Sequence, residues 1–280
     1  MIAAAIRAEW FKLVRRPAIW LTCGLLLALV VLVGYGVTYL VATHTPQDAH
    51  QVGVDVAALR SGLYPAAMVG KSLQNAGTLD GVFALMLGVL AQGSEYGWQT
   101  VKTSFIQLPG RSTILLARAL VVSALMLGLV LIIFAFDGVA AAMIALVDGK
   151  SAALPPAIDI TRGIAGEWLI FEMMAMLGFG LATFFRQSAM AIGLGFAYAL
   201  LIENLVFGLL PRSVKPIHDL FPMAGANHLQ QSFGDISSVV GITFSSPGAV
   251  DVSQAVIVLA VWTCGLVVGS ALLTRLRDIT

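Results

Sequence analysis

The sequence predicts an all-α integral membrane protein. Three observations carry this. Hydrophobic residues fill 59% of the 280 positions and charged residues only 11%, with a mean hydropathy of +0.91. A water-soluble domain is about half apolar and about a quarter charged, so this chain lacks the polar surface to cover a globule in water. The apolar residues fall in long continuous runs. Those runs read as helices and not as the short alternating strands of a closed barrel, because lipid offers no partner for backbone N–H and C=O groups. Finally, sixteen basic and fifteen acidic residues nearly cancel, which excludes nucleic-acid binding through bulk charge.

A span takes about 20 mostly apolar residues. Six runs qualify as candidates: 18–42, 79–95, 113–147, 164–185, 188–210 and 253–274. The second is weak, with Asp80 and Gln92 near its ends. The third would measure about 52 Å as one helix against a hydrocarbon core of about 30 Å. It therefore either projects beyond the bilayer or breaks near Asp137 and Gly138. Six spans put both termini on one side. With the N-terminus inside, the inner segments hold ten lysines and arginines and the longer outer loops hold six. This bias places both termini in the cytoplasm of a multi-pass protein. The first run, at 25 residues, exceeds the roughly 7–15 of a cleavable signal and reads as a retained span. Cys23 and Cys264 both lie in apolar runs, which argues against a disulfide or a thiolate metal site.

Residues 1–17 read as an amphipathic helix lying in the membrane interface. Ile2, Ala3, Ile6, Trp10, Leu13 and Val14 share one side, and Arg7, Glu9, Lys12, Arg15 and Arg16 share the other. Pro17 breaks this helix and lets the chain turn into the membrane. The segment is either an elbow that docks an inner-side partner or a plain basic flank. Residues 96–111 are too polar for lipid, yet Trp98, Val101, Phe105 and Leu108 recur at helical spacing, with Lys102 and Gln107 off that stripe. This spacing predicts a short helix along the inner membrane surface, ended by Pro109 and Gly110.

These residues carry a resemblance. Glu95-Tyr96, Thr100, the helical run over 101–107, Pro109 and Arg111 resemble the signature of ABC-2-type transporter permeases. Glu9-Trp10-Phe11-Lys12-Leu13, followed by Arg15-Arg16-Pro17, is similar to that family's opening. One departure is Gln99, where the family often has glycine, and it bears on the local turn. The resemblance implies the membrane subunit of a bacterial ABC exporter in the cytoplasmic membrane. The helix after Glu95-Tyr96 would be a coupling helix, seated in a cleft of a separate ATPase subunit, with Trp98, Val101 and Phe105 filling the cleft and Lys102 at its rim. Two copies of the chain would pair, each holding one ATPase. An amphipathic small molecule, peptide or lipid would move outward between them, along the first, second and fifth spans. ATP and Mg²⁺ would bind the partner, and no cofactor would bind this chain.

The remaining motifs exclude more than they assign. Residues 65–72 approach a P-loop, but Pro65 stands where glycine is required and no strand precedes it. There is no His-Glu-x-x-His, no Gly-x-Ser-x-Gly and no cysteine pair, so no catalytic or metal-ligating residue is expected. His218, Asp219 and His228 fit no metal spacing and read as a solvated outer loop. Glu203 beside Asn204 in the fifth span, and Glu172 in the fourth, sit where a carboxylate costs about 2.5–3.5 kcal/mol. They either line a transport path or make structural hydrogen bonds. Glu167 reads as interfacial, and Arg118 as snorkelling to the headgroups. Gly265 and Gly269 form a GxxxG pattern, expected to serve packing within the chain. The outer loops, 43–78 and 211–252, are long enough to hold structure. Residues 63–75 read as a short helix on the outer surface, and 221–226 and 239–244 as apolar stretches that dip back towards the membrane. Two rivals stay open: an ion-coupled carrier with Glu203 as its proton site, and a membrane enzyme using Asp137, Glu172 and Glu203.

Overall fold

A computed structural model describes residues 2–44, 56–74, 76–77, 79–97, 111–203, 215–234 and 251–276. All regular structure among them is helical. Helix α1 spans Ile2–Val14 and α2 spans Pro17–His44. Pro17 takes the first helical position of α2, where its missing N–H is not needed and its fixed φ suits the helix. The stretch Val30–Val37 inside α2 is π-helical. Next come α3, Val56–Ser61, a 3₁₀ turn at Pro65–Ala67, α4, Met68–Leu73, and α5, Leu79–Gly97. The long helices α6, Arg111–Val147, and α7, Ala157–Phe185, follow. Then come α8, Ser188–Ile202, α9, Lys215–His218, α10, Pro222–Gln231, and α11, Val252–Leu276.

Among the described residues, four helices are long and apolar enough to cross a membrane: α2, α7, α11 and Thr113–Val147 of α6. The chain is therefore built as a helical membrane protein. The 79–95 run forms its helix, but α5 falls short of a span by composition. The reason is its position. Helix α5 packs along α7 more extensively than any other pair of helices does, and it is enclosed by protein, so Asp80, Gln92 and Glu95 meet side chains instead of lipid. By contrast, most of α2 and α11 is left unburied. Their exposed leucines, isoleucines and valines form the outer, lipid-suited surface. Part of the expected fifth span, 204–210, lies outside the described residues.

Two glycines let α5 and α7 approach. A β-carbon at Gly88 would stand 1.9 Å from the Ala175 carbonyl oxygen, and one at Gly178 would stand 2.1 Å from that of Leu85. Each helix thus offers a glycine to the other's backbone, the small-residue contact by which helices close on each other in lipid. Helix α7 ends at Arg186 in the left-handed conformation, φ 55°, which turns the chain directly into α8. At the far end of α6, Asp148 accepts hydrogen bonds from Tyr64 at 2.8 Å and Arg60 at 3.3 Å, and so ties the α3–α4 region to α6.

Several expectations change. The 113–147 run does not break at Asp137 and Gly138. Helix α6 runs unbroken for 37 residues, about 55 Å at 1.5 Å per residue, because Asp137 turns inward and is buried. The segment at 63–75 is not an outer surface helix, since every residue of α4 is buried. Glu167 is not interfacial but fully enclosed. His228 is not solvated: it sits buried on α10, with Nε2 3.4 Å from Asp219 Oδ1. Gly265 and Gly269 face open space and do not pack within the chain. Of the two apolar outer stretches, 221–226 opens α10, which packs on α11. The other, 239–244, lies outside the described residues.

The close approach of α5 and α7 makes a clear prediction. Gly88→Ala is expected to cost about 1–3 kcal/mol by overpacking, and Gly265→Ala no more than about 0.5 kcal/mol. Unfolding of the two variants in micelles checks the difference, and equal losses would remove the packing role assigned to Gly88.

Candidate functional site: a buried ion-pair network at one end of the bundle

The start of α2, the end of α5 and the start of α6 lie at the same end of the bundle. Helix α1 packs against α6 there. Four charged residues that the sequence scatters over more than a hundred positions meet at this end. Arg118 of α6 donates from Nε to Glu9 Oε2 at 2.7 Å and from Nη1 to Gln92 Oε1 at 2.7 Å. Its Nη2 stands 3.6 Å from Glu95 Oε2. Arg16, in the link between α1 and α2, pairs with Glu95 Oε1 through Nη2. Its Nη1 donates to Ser94 Oγ at 2.7 Å and to the Leu90 and Ala91 carbonyls at 3.1 and 3.2 Å. Lys12 completes the set at 2.9 Å from Glu9 Oε1.

Glu9, Arg16, Glu95 and Arg118 are each less than a tenth exposed. Charges this deep persist only when paired and hydrogen-bonded, and each arginine here uses several of its donors. Burial is the largest influence on the Glu9 carboxyl and pushes its pKa up. Arg118 and Lys12 together outweigh that and hold it below the ordinary glutamate range.

Three placements follow for the residues singled out in the sequence. Glu95 and Tyr96 close α5, and Arg111 opens α6. Trp98, Thr100, Val101, Lys102, Phe105 and Pro109 lie outside the described residues. Glu9, Trp10 and Lys12 belong to α1, with Arg15 and Arg16 just after it. Trp10 is exposed, and the Arg15 guanidinium stands 4.2 Å from the centre of the Phe11 ring. Two face assignments are corrected. Glu9 does not lie on a solvated face, because Arg118 draws it against α6. Arg118 does not snorkel to headgroups, because it is consumed by Glu9, Gln92 and Glu95. The sequence signal for this was an arginine inside an apolar run, which demands an acidic partner. Only folding says which one.

Glu203 follows α8 directly and is buried. It accepts from the Tyr198 hydroxyl at 2.5 Å and from the backbone N–H groups of Ala224 and Met223 at 2.8 and 3.3 Å. Those N–H groups belong to the first turn of α10 and have no partner within their helix. Glu203 therefore holds α10 onto the end of α8. Glu172 is buried in α7, with Oε2 unpartnered among the described residues. Asn204 lies outside them. Sequence reasoning also left Asp80, Lys71 and Glu167 without a role, although the structure brings them together with Asp137. No model of a protein family matches this chain, and no curated protein matches it.

Removing one partner from the network should be expensive. Arg118→Met is expected to destabilise the chain by about 3–5 kcal/mol, since it removes the buried guanidinium that Glu9 and Glu95 share, while Lys12→Met, at the exposed edge, should cost less than about 1 kcal/mol. Equal costs in denaturant titrations would show that the buried pairs carry no special weight.

The Glu9 carboxyl gives a pH prediction with a definite sign. A depressed carboxyl stabilises the folded form above its unfolded value, and that contribution is lost as pH falls through the folded one. Docking of α1 should therefore be firm at neutral pH and weaken on acidification through and below the ordinary glutamate range. Amide exchange over residues 2–14 reads this directly. Glu9→Gln should flatten the profile, and a profile unchanged in that variant would contradict the assignment.

Proposed function

We propose that the chain is the membrane-spanning permease subunit of an ATP-driven ABC exporter. In this reading it makes six passes through a cytoplasmic membrane, with both termini inside, and works as a pair of copies. The observation that carries the reading is the Arg16–Glu95–Arg118–Glu9 network. The two segments that resemble the permease family are far apart in sequence, and this network joins them. The region 98–110 is anchored at both ends: α5 enters it through the Glu95 cluster, and α6 leaves it one to two turns before Arg118. A push delivered to the ends of α5 and α6 cannot be absorbed locally. It passes to α1, α2, α5 and α6 together.

The work is supplied by a separate nucleotide-binding subunit that grips 98–110 through Trp98, Val101 and Phe105. ATP drives the cycle only through its different affinity for the inward and outward states of the whole assembly. Cargo is an amphipathic small molecule, peptide or lipid that crosses between the two copies.

The test is Val101→Asp together with Phe105→Asp. The doubly substituted chain is expected to insert and fold but to lose association with its ATPase subunit and ATP-dependent export. Transport that persists without nucleotide and follows a proton gradient would replace this reading with an ion-coupled carrier.

A further inference from the structure

A second cluster of charge lies deeper in the bundle and takes no part in the network above. Asp80 on the first turn of α5, Asp137 on α6 and Glu167 on α7 are 4%, 1% and 0% exposed, and Lys71 on α4 is 7% exposed. Beside them is a cavity of about 30 Å³, lined in part by Val33, Gly34 and Tyr35 from the π-helical stretch of α2 and by Lys71, Asp80 and Asp137. A π-helical stretch is an uncommon backbone form, often found at functional sites.

Few of these polar atoms are satisfied. Ser72 Oγ donates to Glu167 Oε2 at 2.8 Å, and Lys71 Nζ to Gln74 Oε1 at 3.2 Å. Both oxygens of Asp137, Oδ1 of Asp80, Oε1 of Glu167 and the Tyr35 hydroxyl are buried without a hydrogen-bond partner among the described residues. Unmet buried groups are rare in folded proteins and call for an explanation. Asp80 and Asp137 open onto a space with room for about one or two waters.

The charge count narrows the explanation. Helices α2, α4, α5, α6 and α7 present Tyr35, Lys71, Asp80, Asp137 and Glu167 to the cluster. One ammonium faces three carboxyls, so with all three ionised two negative charges would lack a counter-charge. Among the described residues no three His, Cys, Asp or Glu side chains are grouped closely enough to hold a metal ion. A proton needs no such convergence of ligands.

We propose that this cavity is a proton-binding site, in which Asp80, Asp137 and Glu167 share two protons beside the Lys71 ammonium and cavity water exchanges them. The step is a proton transfer alone: hydronium and a carboxylate give water and a carboxylic acid, with no change of oxidation state. The π-helical stretch of α2 supplies Val30, Val33, Gly34 and Tyr35 to one wall of the cavity. Moving that wall to admit bulk water favours the ionised carboxylates and releases protons. The inference stands apart from the proposed transport cycle, since it concerns the isolated chain.

Infrared difference spectroscopy of the chain in lipid nanodiscs, with no ATPase or nucleotide present, tests it. The probe is the C=O stretch of protonated carboxyls, identified by its shift in heavy water. At neutral pH, Asp80→Asn, Asp137→Asn and Glu167→Gln should each lower the cluster's band by about half, because two carboxyls beside one ammonium need one proton. Lys71→Met should raise it by about half, because three carboxyls then need three protons. Glu172→Gln removes a separate band and leaves this response unchanged. If Asp137→Asn does not fold, the other two acidic variants and Lys71→Met still decide. A band unmoved by all of them would show ionised carboxylates and overturn the proposal. So would a band that vanishes at constant pH when sodium or potassium replaces a bulky organic cation, since that would mark a metal-cation site.

Discussion

A charge taken out of water must meet its opposite inside the protein, and in this chain that demand decides which helices lie together. Arg118 would be untenable on α6 without Glu9, and Glu95 on α5 without Arg16. The pairs therefore dock α1 on α6 and fix the start of α2 to the end of α5. Buried pairs are poor sources of net stability, because desolvation consumes most of the attraction. Their force is in the alternatives they forbid: a slip of α1 by one turn would part Glu9 from Arg118.

Helix α5 links the two charge clusters. It carries Asp80 near one end and Glu95 near the other, with 19 residues in all, about 28 Å of helix. Its middle is locked to α7 through Gly88 and Gly178, where backbone meets backbone and little sliding is possible. A displacement at the Glu95 end must therefore reach the Asp80 end as a movement of the whole rod. Lipid faces other helices: α2 and α11 keep broad apolar surfaces, and α5 spends its polar residues on protein partners.

Much of this was legible in the sequence. Long apolar runs gave the helical class, Pro17 gave the boundary between α1 and α2, and weak hydropathy set 79–95 apart from the other candidate spans. What was hidden depended on pairing in three dimensions. The length of the 113–147 run left two paths open, projection beyond the bilayer or a break near Asp137 and Gly138. Folded, Asp137 turns inward beside Lys71, and α6 continues unbroken. Arg118 looked like a headgroup anchor because its partner lies 109 positions away. The 63–75 segment read as a surface helix, since nothing in its composition says that α4 is wedged against α6 and α7. Glu203 stood out in the sequence as a carboxylate in an apolar run, and the structure buries it, but its hold on the first turn of α10 needed the distance between residues 203 and 224.

The most direct test of the Arg16–Glu95–Arg118–Glu9 network is a double-mutant cycle between Arg16 and Glu95. Unfolding free energies are measured for Arg16→Met, Glu95→Gln and the double variant in lipid-like micelles. The account predicts a coupling of about 1–3 kcal/mol, as for residues sharing one buried network, with the double variant less damaged than the sum of the singles. Strict additivity would mean that the two side chains do not hold each other, and the tie between the N-terminal segment and the end of α5 would be gone.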